Sequence, residues 1–239
     1  MKHIAPRPIV VLCFALFASA AHAEMGPCKP QTLENGEFLI CGSGAGAAMV
    51  IPDTVSPNRK FALAWRAPGA VPTDEEPGED NEMLLVRIAD GAILAKAGTE
   101  YFNTGKMRAN RKSETADWSP DSRMVIRHYD TRYDTEAAYL FVIAPDGFLA
   151  GELDLLPTIQ SAVSAAVKRR RKDPEGMNFS MTNKKQQLTN DGTFRFRANY
   201  FVPKGDDNFD YKVTVKIEAA AKKSAAPSAR VTAIAAVKG

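Results

Sequence analysis

Between two apolar runs the chain places Arg127-His128-Tyr129-Asp130-Thr131-Arg132-Tyr133-Asp134-Thr135-Glu136, in which Tyr-Asp-Thr occurs twice. Tyr, Arg and His carry recognition energy when clustered on a loop, because each joins a large contact area to a directional polar group. Arg127, His128, Tyr129, Asp130, Arg132, Tyr133 and Asp134 are therefore the candidate binding surface, read as lying on and beside a polar loop over Tyr129 to Glu136. The same cluster holds the ingredients of acid/base work. His128 or the neighbouring acids would suit a hydrolase acting on a glycan or an ester. Asp130, Asp134 and Glu136 do not follow a calcium-loop pattern, and the supporting glycine is missing.

Other chemistry has little to build on. A Ser-His-Asp hydrolase would have to use His128, yet no Gly-x-Ser-x-Gly elbow is present. His3 and His22 fall within residues 1–23, read below as a removable signal, and the remaining imidazole of His128 cannot complete a zinc shell. The run Cys41-Gly42-Ser43-Gly44-Ala45-Gly46 misses the dinucleotide pattern by one position and has no P-loop Lys after it, so it reads as a turn. No catalytic residue, metal or cofactor is assigned. The basic run Lys168, Arg169, Arg170, Arg171, Lys172 could touch anionic headgroups, a wall polymer or an acidic partner. Nucleic acid is not expected, because no aromatic stacking residues flank that run. The acidic insert around Asp74, Glu75, Glu76, Glu79, Asp80 and Glu82 reads as a solvated loop.

The chain begins with an address. Lys2 and Arg7 precede an apolar stretch, Ile9 to Ala20, and Ala21-His22-Ala23 is a small-x-small cleavage site, so residues 1–23 read as a signal peptide. The apolar stretch is shorter than the roughly 20 residues a spanning helix needs. The expected product is a periplasmic or secreted chain of residues 24–239, read as one β-rich domain. Cleavage also removes Cys13, leaving Cys28 and Cys41 as an even pair in an oxidising compartment. A disulfide is expected there.

What must position these groups is a thrice-repeated phrase. Ser56-Pro57-Asn58-Arg59-Lys60-Phe61-Ala62-Leu63, Ser119-Pro120-Asp121-Ser122-Arg123-Met124-Val125-Ile126 and Thr189-Asn190-Asp191-Gly192-Thr193-Phe194-Arg195-Phe196 are each a turn feeding a strand. Hairpin signals follow at Asp90-Gly91 and Asp146-Gly147. Three meanders of three strands are predicted, over about 56–98, 119–154 and 189–237. The third alternates cleanly, with Phe194, Phe196, Ala198 and Tyr200 opposite Arg195, Arg197 and Asn199. One amphipathic helix is predicted over about 155–171, from Leu155, Ile159, Val163 and Val167 with Pro157 in the first turn. The segments Phe38 to Ile40 and Ala48 to Ile51 are candidates for a fourth sheet.

The second copy, taken as Asp117-Trp118-Ser119-Pro120-Asp121-Ser122-Arg123-Met124-Val125-Ile126, resembles the blade motif of the TolB-type periplasmic β-propellers. The glycine that follows Asp in that family is Ser122 here and Arg59 in the first copy. The resemblance implies a mainly β, propeller-like succession of antiparallel meanders, used for protein interaction in the cell envelope. The alternative architecture is an antiparallel β-sandwich in which Ser-Pro-Asp is an ordinary type I turn. The functional expectation is a non-enzymatic envelope scaffold that binds a protein or cell-wall component, with the hydrolase as the alternative.

Overall fold

The computed structural model describes residues 25–34, 36–73, 81–98, 113–131, 133–170, 176–202, 208–219 and 226–237. The segment read as a signal peptide, most of the acidic insert, Arg132, Arg171 and Lys172 fall outside them.

The three repeated turns share one hydrogen-bond pattern. The hydroxyls of Ser56, Ser119 and Thr189 donate to the side chains of Asn58, Asp121 and Asp191 two residues on. Those oxygens in turn accept the first N–H groups of the following strand. In the third copy a single N–H, that of Thr193, makes both bonds, so its strand starts one residue sooner. The fourth turn residue takes positive φ in every copy, 60° at Arg59, 60° at Ser122 and 76° at Gly192. The tight turn thus imposes a left-handed conformation on two side-chain-bearing residues.

A further strand runs into each turn, so the sheets hold six, four and four strands rather than the predicted three each. The first sheet has the order β1 (Cys28–Leu33), β2 (Gly36–Cys41), β3 (Ala48–Val50), β4 (Phe61–Arg66), β5 (Glu82–Arg87), β6 (Ala92–Gly98). The second holds β7 (Ser113–Trp118), β8 (Met124–Asp130), β9 (Thr135–Ile143) and β10 (Leu149–Asp154), and the third β11 (Asn178–Leu188), β12 (Thr193–Phe201), β13 (Asn208–Glu218) and β14 (Ser228–Ala236). All pairings are antiparallel between neighbours. The mainly β succession of meanders with one helix is therefore the architecture, and its sheets pack face to face without closing into a barrel. The N-terminal strands extend the first sheet and do not form a fourth.

The second sheet is the middle layer. Val125, Phe141 and Ile143 pack toward Leu63, Trp65 and Leu85 of the first sheet. Ile126, Leu140 and Val142 pack toward Phe194, Phe196, Val213 and Val215 of the third. Burial of each such side chain contributes about 1.5–3 kcal/mol. Helix α1 (Leu156–Lys168) completes the second interface with Ile159, Val163, Ala166 and Val167, and ends at Lys168 instead of continuing to 171. The turns also tie the layers together: the Asn58 amide donates to Ser122 Oγ (3.1 Å), the Asp121 amide to Asn190 Oδ1 (2.9 Å) and Trp118 Nε1 to the Thr54 carbonyl (2.8 Å).

The first sheet curls. The amides of Met25 and Cys28 donate to the carbonyls of Gly91 (3.2 Å) and Ile88 (2.9 Å), which folds the N-terminal strands over the outward face of β4 and β5. Ala62, Ala64, Leu84 and Val86 are buried there with Cys41, Ala48 and Val50, against Met25, Cys28 and Leu39. Cys28 and Cys41 lie directly opposite each other on β1 and β2, at disulfide distance. Gly91 is needed where the layers meet: its φ is 68°, and a Cβ there would lie 2.0 Å from the Gly26 carbonyl oxygen.

Candidate functional site

The cluster that the sequence presents as a binding loop is mostly inside the molecule. Strand β8 runs through Asp130 and β9 begins at Thr135, so only 131–134 connect them. Arg127, His128, Tyr129 and Asp130 are buried strand residues, because β8 is central in the middle sheet and covered on both faces. Alternation sends them to different interfaces.

Arg127 and Tyr129 face the first sheet. The Arg127 guanidinium lies against Gly98 of β6 and holds Glu114 of β7 through two bonds, Nε to Oε1 at 2.6 Å and Nη2 to Oε2 at 2.9 Å. Both side chains are almost fully enclosed, at 3% and 0% exposure. Burial pushes the Glu114 carboxyl up to about 7 against the pull of Arg127, and the charge of Asp130 adds to the rise.

His128 and Asp130 face the third sheet. The His128 ring sits 5.8 Å from that of Phe194, and its Nε2 is 2.9 Å from Asp117 Oδ2. Asp130 Oδ1 accepts the Thr135 hydroxyl (2.5 Å), whose oxygen accepts the Met181 amide of β11 (2.8 Å). Asp134, on the connection, accepts the Phe179 amide (3.0 Å) and the Asn178 side-chain amide. Tyr133 is half-buried beside it. The described residues of the predicted recognition cluster therefore act as polar mortar between the three sheets. Among the described residues no group of acids, Cys and His is placed to hold a metal.

A more accessible site lies where the first and second sheets part. A cleft of about 420 Å³ is lined by Lys96, Ala97 and Gly98 of β6, Tyr139 and Phe141 of β9, and Glu152, Leu153 and Asp154 of β10. The register puts Glu152 opposite Phe141 and Asp154 opposite Tyr139, so both acids and both rings share the face turned toward the first sheet. Tyr139 is one of the few large apolar side chains left exposed, at 36%. Asp154 also accepts the Leu156 amide (3.0 Å), which starts α1. Across the cleft, Lys96 pairs with Glu82 (2.6 Å), and the Lys96 and Arg66 side chains hold the Glu82 carboxyl below its usual range. Among the described residues β6 and β10 are the outer strands of their sheets, so both borders of the cleft are sheet edges.

A second hollow of about 350 Å³ lies between the first two repeat turns and is lined by Lys60, Arg87, Asp121, Arg123 and Asp146. Its central cation is engaged, since Arg87 pairs with Asp90 (2.6 Å) and reaches the Gly147 carbonyl (3.3 Å). The helix-end cations Lys168, Arg169 and Arg170 are exposed, with Arg170 over the Phe209 ring at 5.3 Å.

Sequence reasoning did not single out Tyr139, Glu152 or Lys96, which come from two different repeat units. A partial signal was present in Leu149-Ala150-Gly151-Glu152-Leu153-Asp154, where period two places both acids on one face. Comparison with family models, with curated proteins and with solved structures finds no match to this chain.

Proposed function

We propose that this chain is an exported, non-enzymatic scaffold of the cell envelope that holds an extended, cationic segment of a partner protein in the cleft between its first and second sheets. The observation that carries the reading is the cleft itself, bordered by two sheet edges and walled by Tyr139, Glu152 and Asp154. Sheet edges offer backbone groups to an added strand, and alternate side-chain positions then supply selectivity. Tyr139 offers a ring for contact, and Glu152 a carboxylate for a lysine or arginine. Export is supported by residues 1–23 and by the cysteine pair, and among the described residues no helix is long and apolar enough to cross a membrane. The likeness of Asp117 to Ile126 to TolB-type blades supports an interaction role.

The hydrolase alternative has less behind it, because His128 has no exposed surface with which to meet a substrate. A photo-crosslinking residue in place of Tyr139 should yield a discrete protein adduct in intact cells, lost with Glu152→Lys and not seen when the probe replaces Thr232. An adduct insensitive to Glu152→Lys, or turnover of chromogenic glycosides or esters by the purified chain, would overturn the reading.

A further inference from the structure

The outward face of the third sheet is charged where a stacked layer would need to be apolar. Arg195 and Arg197 on β12, Lys212 and Lys216 on β13 and Arg230 on β14 all point away from the core, since their neighbours Phe194, Phe196, Tyr211, Val213 and Val215 are buried. The register sets Arg197 directly opposite Lys212, and Lys216 directly opposite Arg230. Like charges directly across two strands destabilise a sheet, so folding alone does not favour either pair.

Acids answer only part of this charge. Arg197 pairs with Asp210 (2.6 Å), Lys216 with Asp191 (2.8 Å) and Arg230 approaches Glu218 (3.9 Å). Arg195 and Lys212 are exposed and have no acidic partner among the described residues. Other outward positions on these strands are Thr193, Asn199, Thr214, Ala233 and Ala235, with the half-buried Phe201 at the end of β12. Helix α1 and Phe209 pack on the opposite, core-facing side of this sheet, so Lys168, Arg169 and Arg170 lie apart from the outward face.

We propose that this face docks the protein on an anionic phospholipid bilayer. A four-stranded face is a broad patch about 15 Å across the strands, which suits a planar array of headgroups better than a single chain lying in a groove. Cations near an anionic bilayer contribute about 1 kcal/mol each, and the attraction falls off within the Debye length. Docking on the third sheet leaves the cleft between the first and second sheets open, so the inference does not depend on what that cleft holds.

The test is cosedimentation of the full exported chain with vesicles of phosphatidylethanolamine containing one-third phosphatidylglycerol, and with phosphatidylcholine vesicles. Binding is expected only to the anionic vesicles, lost between about 0.05 and about 0.5 M salt. Arg195→Glu with Lys212→Glu leaves the three ion pairs intact and should lower the partition coefficient at least ~10-fold with unchanged thermal unfolding. Lys60→Glu with Arg59→Glu on the first repeat turn makes the same change in net charge and should have less than ~2-fold effect. Equal binding to phosphatidylcholine, or equal losses in the two double variants, would overturn the proposal.

Discussion

The two ends of the stack are finished in opposite ways. The outward face of the first sheet is apolar, with Ala62, Ala64, Leu84 and Val86 buried under a curled N-terminal hairpin. The outward face of the third sheet is covered by none of the described residues and carries Arg195, Arg197, Lys212 and Lys216. A stack of layers must end somewhere, and each terminal layer has to be capped or made polar. This chain does one at each end. The first end consequently depends on a cover, while the third is free to meet something else.

That contrast is most exposed to test in the cores. Leu84→Ala should destabilise by about 3–5 kcal/mol, because the site is closed by a hairpin and cannot collapse freely. Arg195→Ala, on the outward face of the third sheet, should change stability by less than about 0.5 kcal/mol. Urea unfolding of both variants measures the difference, and comparable losses would mean that the ends are alike.

The cover itself gives the next effect. Cys28 and Cys41 close a loop with a sequence separation of 13, for which the chain-entropy view gives about 3 kcal/mol. Replacing both by Ala should cost about that much, and hydrogen exchange should quicken at the amides of Leu63 and Leu85 well before those of Phe196 and Val213. Uniform quickening across the three sheets would remove the idea that the staple serves the first end.

The pH responses of the first junction and of the third sheet have opposite signs. Glu114, at the junction of the first and second sheets, has its carboxyl raised to about 7, so the folded state holds a proton that the unfolded state releases from about pH 4.5 upward. Stability from this junction is therefore greatest below pH 4.5 and falls as pH rises toward 7, by as much as about 3 kcal/mol. Asp191, in the third repeat turn, is held well below the usual carboxylate range by Lys216 and by the hydroxyls of Thr189 and Thr193. Its contribution is present above the ordinary aspartate range and is lost as pH falls. Unfolding free energies of Glu114→Gln should lack the decline between pH 4.5 and 7, and an unchanged decline would assign it to another group.

The same contrast explains what could be read in advance. In the third sheet β12 and β13 alternate, because one face meets the core and the other meets solvent, and the sequence shows it. Strand β8 has all seven residues buried, so it offers no alternation, and its polar half, Arg127 to Asp130, resembles a loop. The strands leading into the second and third turns, Ser-Glu-Thr-Ala-Asp-Trp and Asn178–Leu188, are polar and escape a search for apolar runs. The cleft was out of reach for a different reason: Lys96 and Glu152 belong to separate units, and only the packing of one sheet on the next brings them together.

The smallest effect concerns the turns that join the layers. Arg59 and Ser122 occupy equivalent positions at φ 60°, a conformation that costs an L-residue about 1 kcal/mol relative to glycine. Arg59→Gly should therefore stabilise by about 0.5–1 kcal/mol. Ser122→Gly relieves the same strain but removes the oxygen that accepts the Asn58 amide, a bond worth about 1 kcal/mol, so its net effect should be near zero. The difference between the two substitutions measures the link from the first turn to the second without disturbing either core. Equal stabilisation by both would mean that this bond contributes nothing to the joint between the first sheet and the second.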